Sequence, residues 1–354
     1  MVTYRIATPD DYENINNFHN RIYKKNRTME QFYWEFHNGP FGASIYVIAE
    51  DEGKVVGTNC VIPIDLITAE NKIIRSGKSE DTLVDPDYRG QKIFYKIYDF
   101  LFEKCREANI EVIWGFTAAK KPFKNLEFEI PFDHQQSLAV NKIWKSYLYL
   151  AGLNPQNKFM DKLKIFGLCT LSKFKTLGKL GTNKSKFDIK VYDTLTEGVD
   201  ELIFEGLQQS RENFAILQSA NFQQWRIYDN PNYFKTHTYG IYEQEKLIAL
   251  MVFNSHENGI AYLCQASFRG KLSDTEKANI IKSVTARLFK SGISAVRTWM
   301  FDTNPLNKEE AELFQTAGYV HLNRGIGFVW KELTQTGVNP KNFIVSRMAT
   351  QGAI

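Results

Sequence analysis

The chain repeats itself at the scale of a whole domain. MEQFYW at 29–34 is followed by Asn38-Gly39-Pro40 and then by IYVIAEDEGKVVGTNCV at 45–61. ANFQQW at 220–225 is followed by Asp229-Asn230-Pro231 and then by TYGIYEQEKLIALMVF at 238–253. Trp34 and Trp225 stand 191 residues apart. So long a period is not that of a solenoid unit, and it predicts one topology built twice. The 354 residues suffice for about two domains of ordinary size.

Local patterning fills in that topology. Thr3–Ala7 alternates as a short strand, and Thr8, Pro9 and Asp11 make a helix start: a capping hydroxyl, a first-turn proline and an acid. Tyr12, Ile15, His19 and Ile22 then keep helical spacing. Ser44–Ala49 and Lys54–Pro63 read as strands joined at Asp51–Gly53, a hairpin. Asn71–Val84 supplies more strand. Lys92–Arg106 is an amphipathic helix with Ile93, Ile97, Leu101 and Cys105 on one face, and Glu111–Phe116 is a buried strand. In the second copy Ser273 and Glu276 form a capping box before a helix striped by Ile280, Ile281, Val284 and Leu288, and Ala295–Phe301 is a buried strand. Strand, helices, antiparallel meander, helix, strand is an α+β order. The predicted boundaries are an N-terminal domain at 1–152, a basic linker at 153–187 and a C-terminal domain at 188–354.

Residues 155–190 hold nine lysines against two acids, with Leu, Phe and Ile between them. The pattern reads as a basic amphipathic helix near Met160–Leu177. It serves either as a solvated connector packed between domains or as a weak membrane-surface or polyanion contact.

VDPDYRGQKIF at 84–94 puts Arg89, Gly90, Gln91 and Lys92 on the joint between a strand and a helix. A helix N-terminus carries unpaired N–H groups and the positive end of the peptide dipole. A glycine in the preceding turn admits a ligand close to the backbone, so such a joint can cradle a phosphate or pyrophosphate. Arg89 and Lys92 would add mobile positive charge.

With this strand order the chain resembles the GNAT (Gcn5-related N-acetyltransferase) superfamily. YRIATPDDYENI is similar to that family's first strand and helix, and the hairpin ending in KVVG to its second and third strands. SEDTLVDPDYRGQKIF is similar to its fourth strand and acyl-CoA pyrophosphate loop. The likeness covers about residues 1–150 and, through the repeat and more weakly, about 188–350. It implies two GNAT-like acyl-CoA N-acyltransferase domains, each a split mixed β-sheet flanked by helices, with CoA in the gap between the fourth and fifth strands. Leu83, Val84, Arg89, Gly90, Gln91, Lys92, Ile93 and Phe94 are then the cofactor-binding residues. A backbone N–H near Leu83–Val84, where the family's fourth strand bulges, would hold the thioester carbonyl.

The family loop is usually Q/R-x-x-G-x-G/A. Here Arg89 fills the first position, Lys92 stands at the first glycine and Phe94 at the last small residue. The loop works if Lys92 has φ < 0 and contributes only its N–H; it fails if that position must be left-handed. The family's frequent Pro-Asn after the fifth strand is replaced by Thr117-Ala118. Lys120, Lys121 and Lys124 make the segment basic, either toward an anion or as a solvated helix face. Arg324-Gly325-Ile326-Gly327 matches the family spelling more closely, but it lies between two strand-like runs and reads as a hairpin turn. Arg269-Gly270 is the counterpart of Arg89-Gly90 without an equivalent of Pro86, so the second domain is not expected to bind CoA.

Acyl transfer from a thioester to an amine needs the reactants held in line, which can contribute about 7–11 kcal/mol. It also needs the amine deprotonated, and an alkylammonium of pKa about 10.4 is only ~0.1% neutral near pH 7.4. Lys78, Glu80, Thr82 and Val84 alternate onto one strand face. Glu80 is therefore either the catalytic base, acting through water, or a structural carboxylate paired with Lys78. Asp81, on the opposite face, is the second choice. His134 either faces the cleft as a further catalytic group or is a plain loop histidine.

The expected activity is that of an acetyl-CoA-dependent N-acyltransferase, transferring to the amine of a small acceptor such as an amino sugar or nucleotide sugar by direct attack in a ternary complex. Two other classes stay open. An aminoacyl-tRNA-dependent transferase would use the 155–190 lysines on tRNA and need no intact loop, and a tandem module could bind a partner without catalysis. A net charge of +4 gives nucleic acid no particular support. Cys60, Cys105, Cys169 and Cys264 lie far apart, as reduced thiols in a cytoplasm do. Six histidines without H-x-x-x-H or H-E-x-x-H spacing predict no metal site. The N-terminus lacks the basic head and apolar run of a signal peptide, and no apolar stretch approaches the ~18 residues that span a bilayer.

Overall fold

Turn and cap chemistry places the elements of the first half close to where the pattern put them. The structure is a computed structural model that describes residues 1–154, 156–180, 186–194, 197–232, 234–301, 303, 305–322 and 325–349. Arg324 of the expected hairpin turn and 181–185 of the expected linker lie outside the described residues. In chain order the first elements are β1 (Thr3–Ile6), α1 (Tyr12–Tyr23), α2 (Met29–Phe36), β2 (Ile45–Asp51), β3 (Lys54–Pro63), β4 (Leu66–Thr68), β5 (Ile73–Ile74), β6 (Ser76–Val84), α3 (Ile93–Glu107), β7 (Val112–Thr117) and α4 (Lys120–Asn125). There follow β8 (Gln135–Val140), α5 (Ile143–Gly152), α6 (Phe159–Leu180), β9 (Asp188–Tyr192), α7 (Val199–Leu207), β10 (Phe214–Ile216), α8 (Ala220–Gln223), β11 (Lys235–Glu243), β12 (Lys246–Ser255), β13 (Ile260–Phe268), α9 (Asp274–Lys290), β14 (Ala295–Met300), α10 (Pro305–Thr316), β15 (Val320–Leu322) and β16 (Gly327–Glu332). Thr8 and Asp11 close the expected cap, the Thr8 N–H donating to Asp11 Oδ2 at 2.7 Å. The expected strand at 71–84 is broken in two: β5 pairs with β4 in a small sheet, and β6 enters the main one.

The chain forms two compact units, and neither is contiguous in sequence. The first takes Met1–Phe132, Phe214–Asn232 and Ile326–Pro340; the second takes Asp133–Asn213, Tyr233–Gly325 and Lys341–Ile354. The first unit's six-stranded sheet runs β1-β2-β3-β6-β7-β16, and the second unit's seven-stranded sheet runs β15-β8-β14-β13-β12-β11-β9. Contiguous domains at 1–152 and 188–354 therefore do not describe these units. The reason is an exchange of strands: β16 from the second half lies antiparallel to β7, and β8 from the first half lies antiparallel to β14. The expected hairpin around Gly325 is likewise corrected. β15 pairs with β8 and β16 with β7, so the two strands that flank Gly325 do not pair with each other.

Both sheets are mixed, and both split. β6 and β7 pair in parallel from Ser76↔Val112 to Lys78↔Trp114 and part beyond. β13 and β14 pair in parallel from Ile260↔Ala295 to Tyr262↔Arg297 and part likewise. Gly115 sits where the first split opens; a Cβ there would lie 3.2 Å from the Ser79 carbonyl oxygen, a tight contact that would push the two backbones apart by a few tenths of an ångström. The first core packs Ile93, Ile97, Leu101 and Cys105 of α3 on Val47, Val56 and Val61, as the helix stripe predicts.

The repeated tryptophans meet inside the first unit. Trp34 Nε1 donates to the Trp225 carbonyl and Trp225 Nε1 to the Trp34 carbonyl, both at 2.8 Å. Such reciprocity is what a local two-fold produces. Both indoles are buried, with ring centroids 5.5 Å apart. Trp225→Ala is expected to cost about 3–5 kcal/mol in denaturant unfolding. Because the rings share partners, the double variant with Trp34→Ala should cost less than the sum of the singles; strict additivity would show that the pair does not act as a unit.

Candidate functional site

The loop ahead of α3 is held at one end and open at the other. Asp85, fully buried where β6 ends, accepts from the Asp87 N–H at 3.1 Å and pairs with Arg21 at 2.9 Å and Lys54 at 3.5 Å. Pro86–Tyr88 then makes one 3-10 turn. Gly90 follows at φ +85 and Lys92 at φ +60, both left-handed. Lys92 thus takes the conformation that a glycine would take, at a cost of roughly 1–2 kcal/mol. The sequence made a negative φ at Lys92 a condition of a working loop, and the structure does not meet it; the backbone instead keeps a glycine-like path with a lysine in place. The N–H groups of Gly90, Gln91, Lys92, Ile93 and Phe94 meet no acceptor among the described residues. Among the described residues no side chain caps α3, and no acid stands in its first turn. Arg89, Gln91 and Lys92 are exposed. Asn125 donates to the Tyr95 hydroxyl at 3.0 Å, which brings α4, with Lys121 and Lys124, beside the first turn of α3.

The bulge in β6 lies earlier than expected. Thr58 faces Leu83 and Cys60 faces Glu80, so Asp81 and Thr82 together oppose Asn59, while Leu83 and Val84 are in regular register. Asp81 has φ +52. A bulge shifts the alternation by one residue. Ser79 and Thr82 accordingly share a face: each reaches Asn59 Oδ1, at 3.2 and 3.0 Å, and the Tyr98 hydroxyl, at 2.9 and 3.3 Å. Thr82 therefore does not share the face of Lys78 and Glu80, and Asp81 does not point away from it.

Asp81 is the most heavily partnered acid of the first unit's site. His19 Nδ1 lies 2.6 Å from its Oδ1, the Arg27 guanidinium donates twice to its Oδ2 at 3.0 Å, and the Tyr46 hydroxyl donates to the same oxygen. Burial alone would raise its pKa, but the His19 hydrogen bond and the Arg27 charge outweigh that and hold it at about 2. An acid so paired is an anchor and a poor proton acceptor.

Glu80 pairs with Lys78, whose ammonium is buried, while about a quarter of the Glu80 side chain stays exposed. The sequence reading missed the acid beside them. Glu35 on α2 is buried, and its Oε1 has no hydrogen-bond partner among the described residues. Burial first, and then the Glu80 charge, push its pKa up to about 8. The signal was present: Glu35 shares the inward face of α2 with Phe32 and Phe36, at i, i+3 and i+4. Two carboxylates with opposed environments are the usual mark of proton handling.

His134 belongs to the second unit. It is buried on the Trp299 indole, ring centroids 4.3 Å apart, with Gln136 Nε2 3.2 Å from its Nε2. The second unit's counterpart of the loop is closed. Arg269 pairs with Glu205 and donates to the Leu247 carbonyl at 2.8 Å. α9 starts behind a complete Ser273–Glu276 capping box, in which the Ser273 N–H donates to Glu276 Oε2 at 2.9 Å and the Glu276 N–H to Ser273 Oγ at 3.4 Å. Among the described residues no cluster of three or more His, Cys, Asp or Glu is arranged to hold a metal, and the four cysteines are buried free thiols.

A family profile described as an acetyltransferase (GNAT) domain matches residues 3–130. No curated protein matches the chain by sequence. Among solved structures, a GCN5-related N-acetyltransferase from Anabaena variabilis ATCC 29413 superposes with a TM-score of 0.64 at 10% identity, over 94% of this chain and 73% of that one. A conserved protein of unknown function from Enterococcus faecalis V583, described as a probable N-acyltransferase, gives 0.63 at 9% identity, with 94% and 73% covered. Saccharomyces cerevisiae N-myristoyltransferase with bound myristoyl-CoA gives 0.59 at 13% identity, with 96% and 86% covered. Identities this low carry the fold alone. Residues 3–130 thus match an acetyltransferase (GNAT) domain, and the chain as a whole has the fold of these two-unit acyltransferase structures.

Glu35 yields a pH test. Its folded pKa of about 8 lies above its ordinary 4.5, so its contribution to stability is complete below about pH 4.5 and is lost as pH rises through about 8. The loss is about 1.4 kcal/mol per pH unit within that window. Glu35→Gln should flatten the fall in thermal stability between those limits. An equally steep fall in the variant would assign the dependence to another group.

Proposed function

We propose that the chain is an acyl-CoA-dependent N-acyltransferase with its site in the first unit, acetyl-CoA as donor and the amine of a small acceptor, such as an amino sugar or nucleotide sugar, as nucleophile. One observation carries the reading: five successive N–H groups that meet no acceptor among the described residues lead into a helix without a side-chain cap there, beside a parting pair of parallel strands. Amides in that state bind phosphate oxygens, and Arg89 and Lys92 add charge. Unpaired strand edges suit the amide-bearing arm of CoA, which can hydrogen-bond to both.

Attack runs directly in the ternary complex. The amine nitrogen bonds to the thioester carbonyl carbon, and the tetrahedral oxyanion is held by backbone N–H at the Asp81–Thr82 bulge, a contact of roughly 2.7–4 kcal/mol in comparable sites. The C–S bond then breaks, and the CoA thiolate leaves and is protonated. Glu80, through water, takes the proton from the amine, with Lys78 holding the carboxylate and Glu35 keeping its own proton. His134, packed on Trp299, is the weaker candidate. The open loop favours this reading over an aminoacyl-tRNA-dependent transferase, which needs no such cradle. Acyl length is tested by titrating acetyl-CoA against myristoyl-CoA, the ligand of the yeast N-myristoyltransferase structure. We place the protein in the cytoplasm, in keeping with its four free thiols.

Calorimetry should find one acetyl-CoA per chain. Arg89→Ala should weaken that binding about tenfold, while Arg269→Ala leaves it alone. Two sites per chain, or loss on changing Arg269, would move the site to the second unit. With amino sugars as acceptors and release of CoA thiol as the readout, Glu80→Gln should lower the rate by about 10²–10³ with little change in acetyl-CoA affinity. The deficit should shrink as pH rises, because hydroxide then deprotonates the amine; a full rate at neutral pH would remove Glu80 from the mechanism.

A further inference from the structure

Helix α6 is turned inside out. Its inward face is Ile165, Cys169, Ser172 and Thr176, all buried, with the Ser172 hydroxyl donating to the Leu138 carbonyl at 2.9 Å and the Thr176 hydroxyl to the Gly318 carbonyl at 3.2 Å. Its outward face is Phe159, Leu163, Phe166, Phe174 and Leu177, each between 40% and 77% exposed. A helix that only packs on its own domain has the reverse arrangement. The stripe continues onto α5, where Trp144 and Leu148, one turn apart, are 62% and 53% exposed. Tyr147 and Phe166 join the two helices edge to face at 5.6 Å.

Charge surrounds the stripe on both sides. Lys162 and Lys164 flank Leu163, and Lys173 and Lys175 flank Phe174, each about 100° round the helix from the apolar residue between them. Lys162, Lys164 and Lys175 are exposed and have no carboxylate partner among the described residues; Lys173 donates to Asn141 Oδ1 at 3.1 Å. From Ile143 to Leu180 there are seven lysines and one acid, Asp161. Among the described residues no helix is long and apolar enough to cross a membrane.

We infer that α6, with the adjoining face of α5, is a docking surface for an anionic phospholipid bilayer, on which the helix lies in the plane of the headgroups. Phe, Leu and Trp enter the acyl boundary and the flanking lysines meet lipid phosphates, the pairing that such interfacial helices use. Charge selects this occupant over a second copy of the chain. In a symmetric dimer the patch would meet itself, and lysine rows would face lysine rows.

The test is co-sedimentation of the full chain with vesicles of equal parts phosphatidylglycerol and phosphatidylcholine, against vesicles of phosphatidylcholine alone. Partitioning should be at least about tenfold stronger to the anionic vesicles and should weaken with salt. The double variant Leu163→Glu, Phe174→Glu should lose about tenfold or more, with an unchanged circular dichroism spectrum and melting temperature, since both side chains are exposed. Failure of the unaltered chain to bind anionic vesicles overturns the proposal, as does equal binding by the double variant. A lipid-free dimer that the double variant dissolves, without vesicle binding, would assign the face to a second copy.

Discussion

The first unit's site depends on one buried carboxylate. Asp81 leaves its ladder at a left-handed bulge and takes hydrogen bonds from His19 of α1, Arg27 of the segment before α2 and Tyr46 of β2. Burying such a charge alone would be prohibitive, and removing its partners singly would leave an uncompensated ion. Held by all three, it fixes where two strands and the helical layer meet. The bulge re-aims β6, so Ser79 and Thr82 turn together to Asn59 and Tyr98 while Glu80 stays beside Lys78 and Glu35. The split between β6 and β7 opens in the same stretch.

One topology carries two different chemistries. In both units a strand parts from its parallel neighbour and leads toward a helix. In the first, the helix begins with amides that meet no acceptor among the described residues, and Arg89 is exposed. In the second, Ser273 and Glu276 each accept the other's N–H, and Arg269 is paired with Glu205. Anion binding at a helix start needs donors not already bonded.

Much of this was legible along the chain. The capping residues at Thr8 and Ser273, the hairpin turn near Gly53 and the α3 stripe are local patterns, and the structure keeps them. The arginine-glycine joint marked the strand-to-helix turn from sequence alone. Less legible was Lys92, because a left-handed residue is imposed by the path on either side of it and only glycine advertises the need. Glu35 could be read as inward-facing from Phe32 and Phe36, but an acid on an apolar face gains meaning only when the neighbouring acid, Glu80, is placed beside it.

The sequence by itself determined the repeat, which shows in matching segments 191 residues apart, and the α+β order and the basic, apolar pattern of α6, which are written in near neighbours. Tertiary structure alone decided which sheet each late strand joined. Pairing across about 200 residues, as between Gly327 and Thr117, leaves no local trace in either strand. It also decided the position of the bulge. A period of two reads the same on both sides of an inserted residue, so only the partner strand shows where the faces exchange.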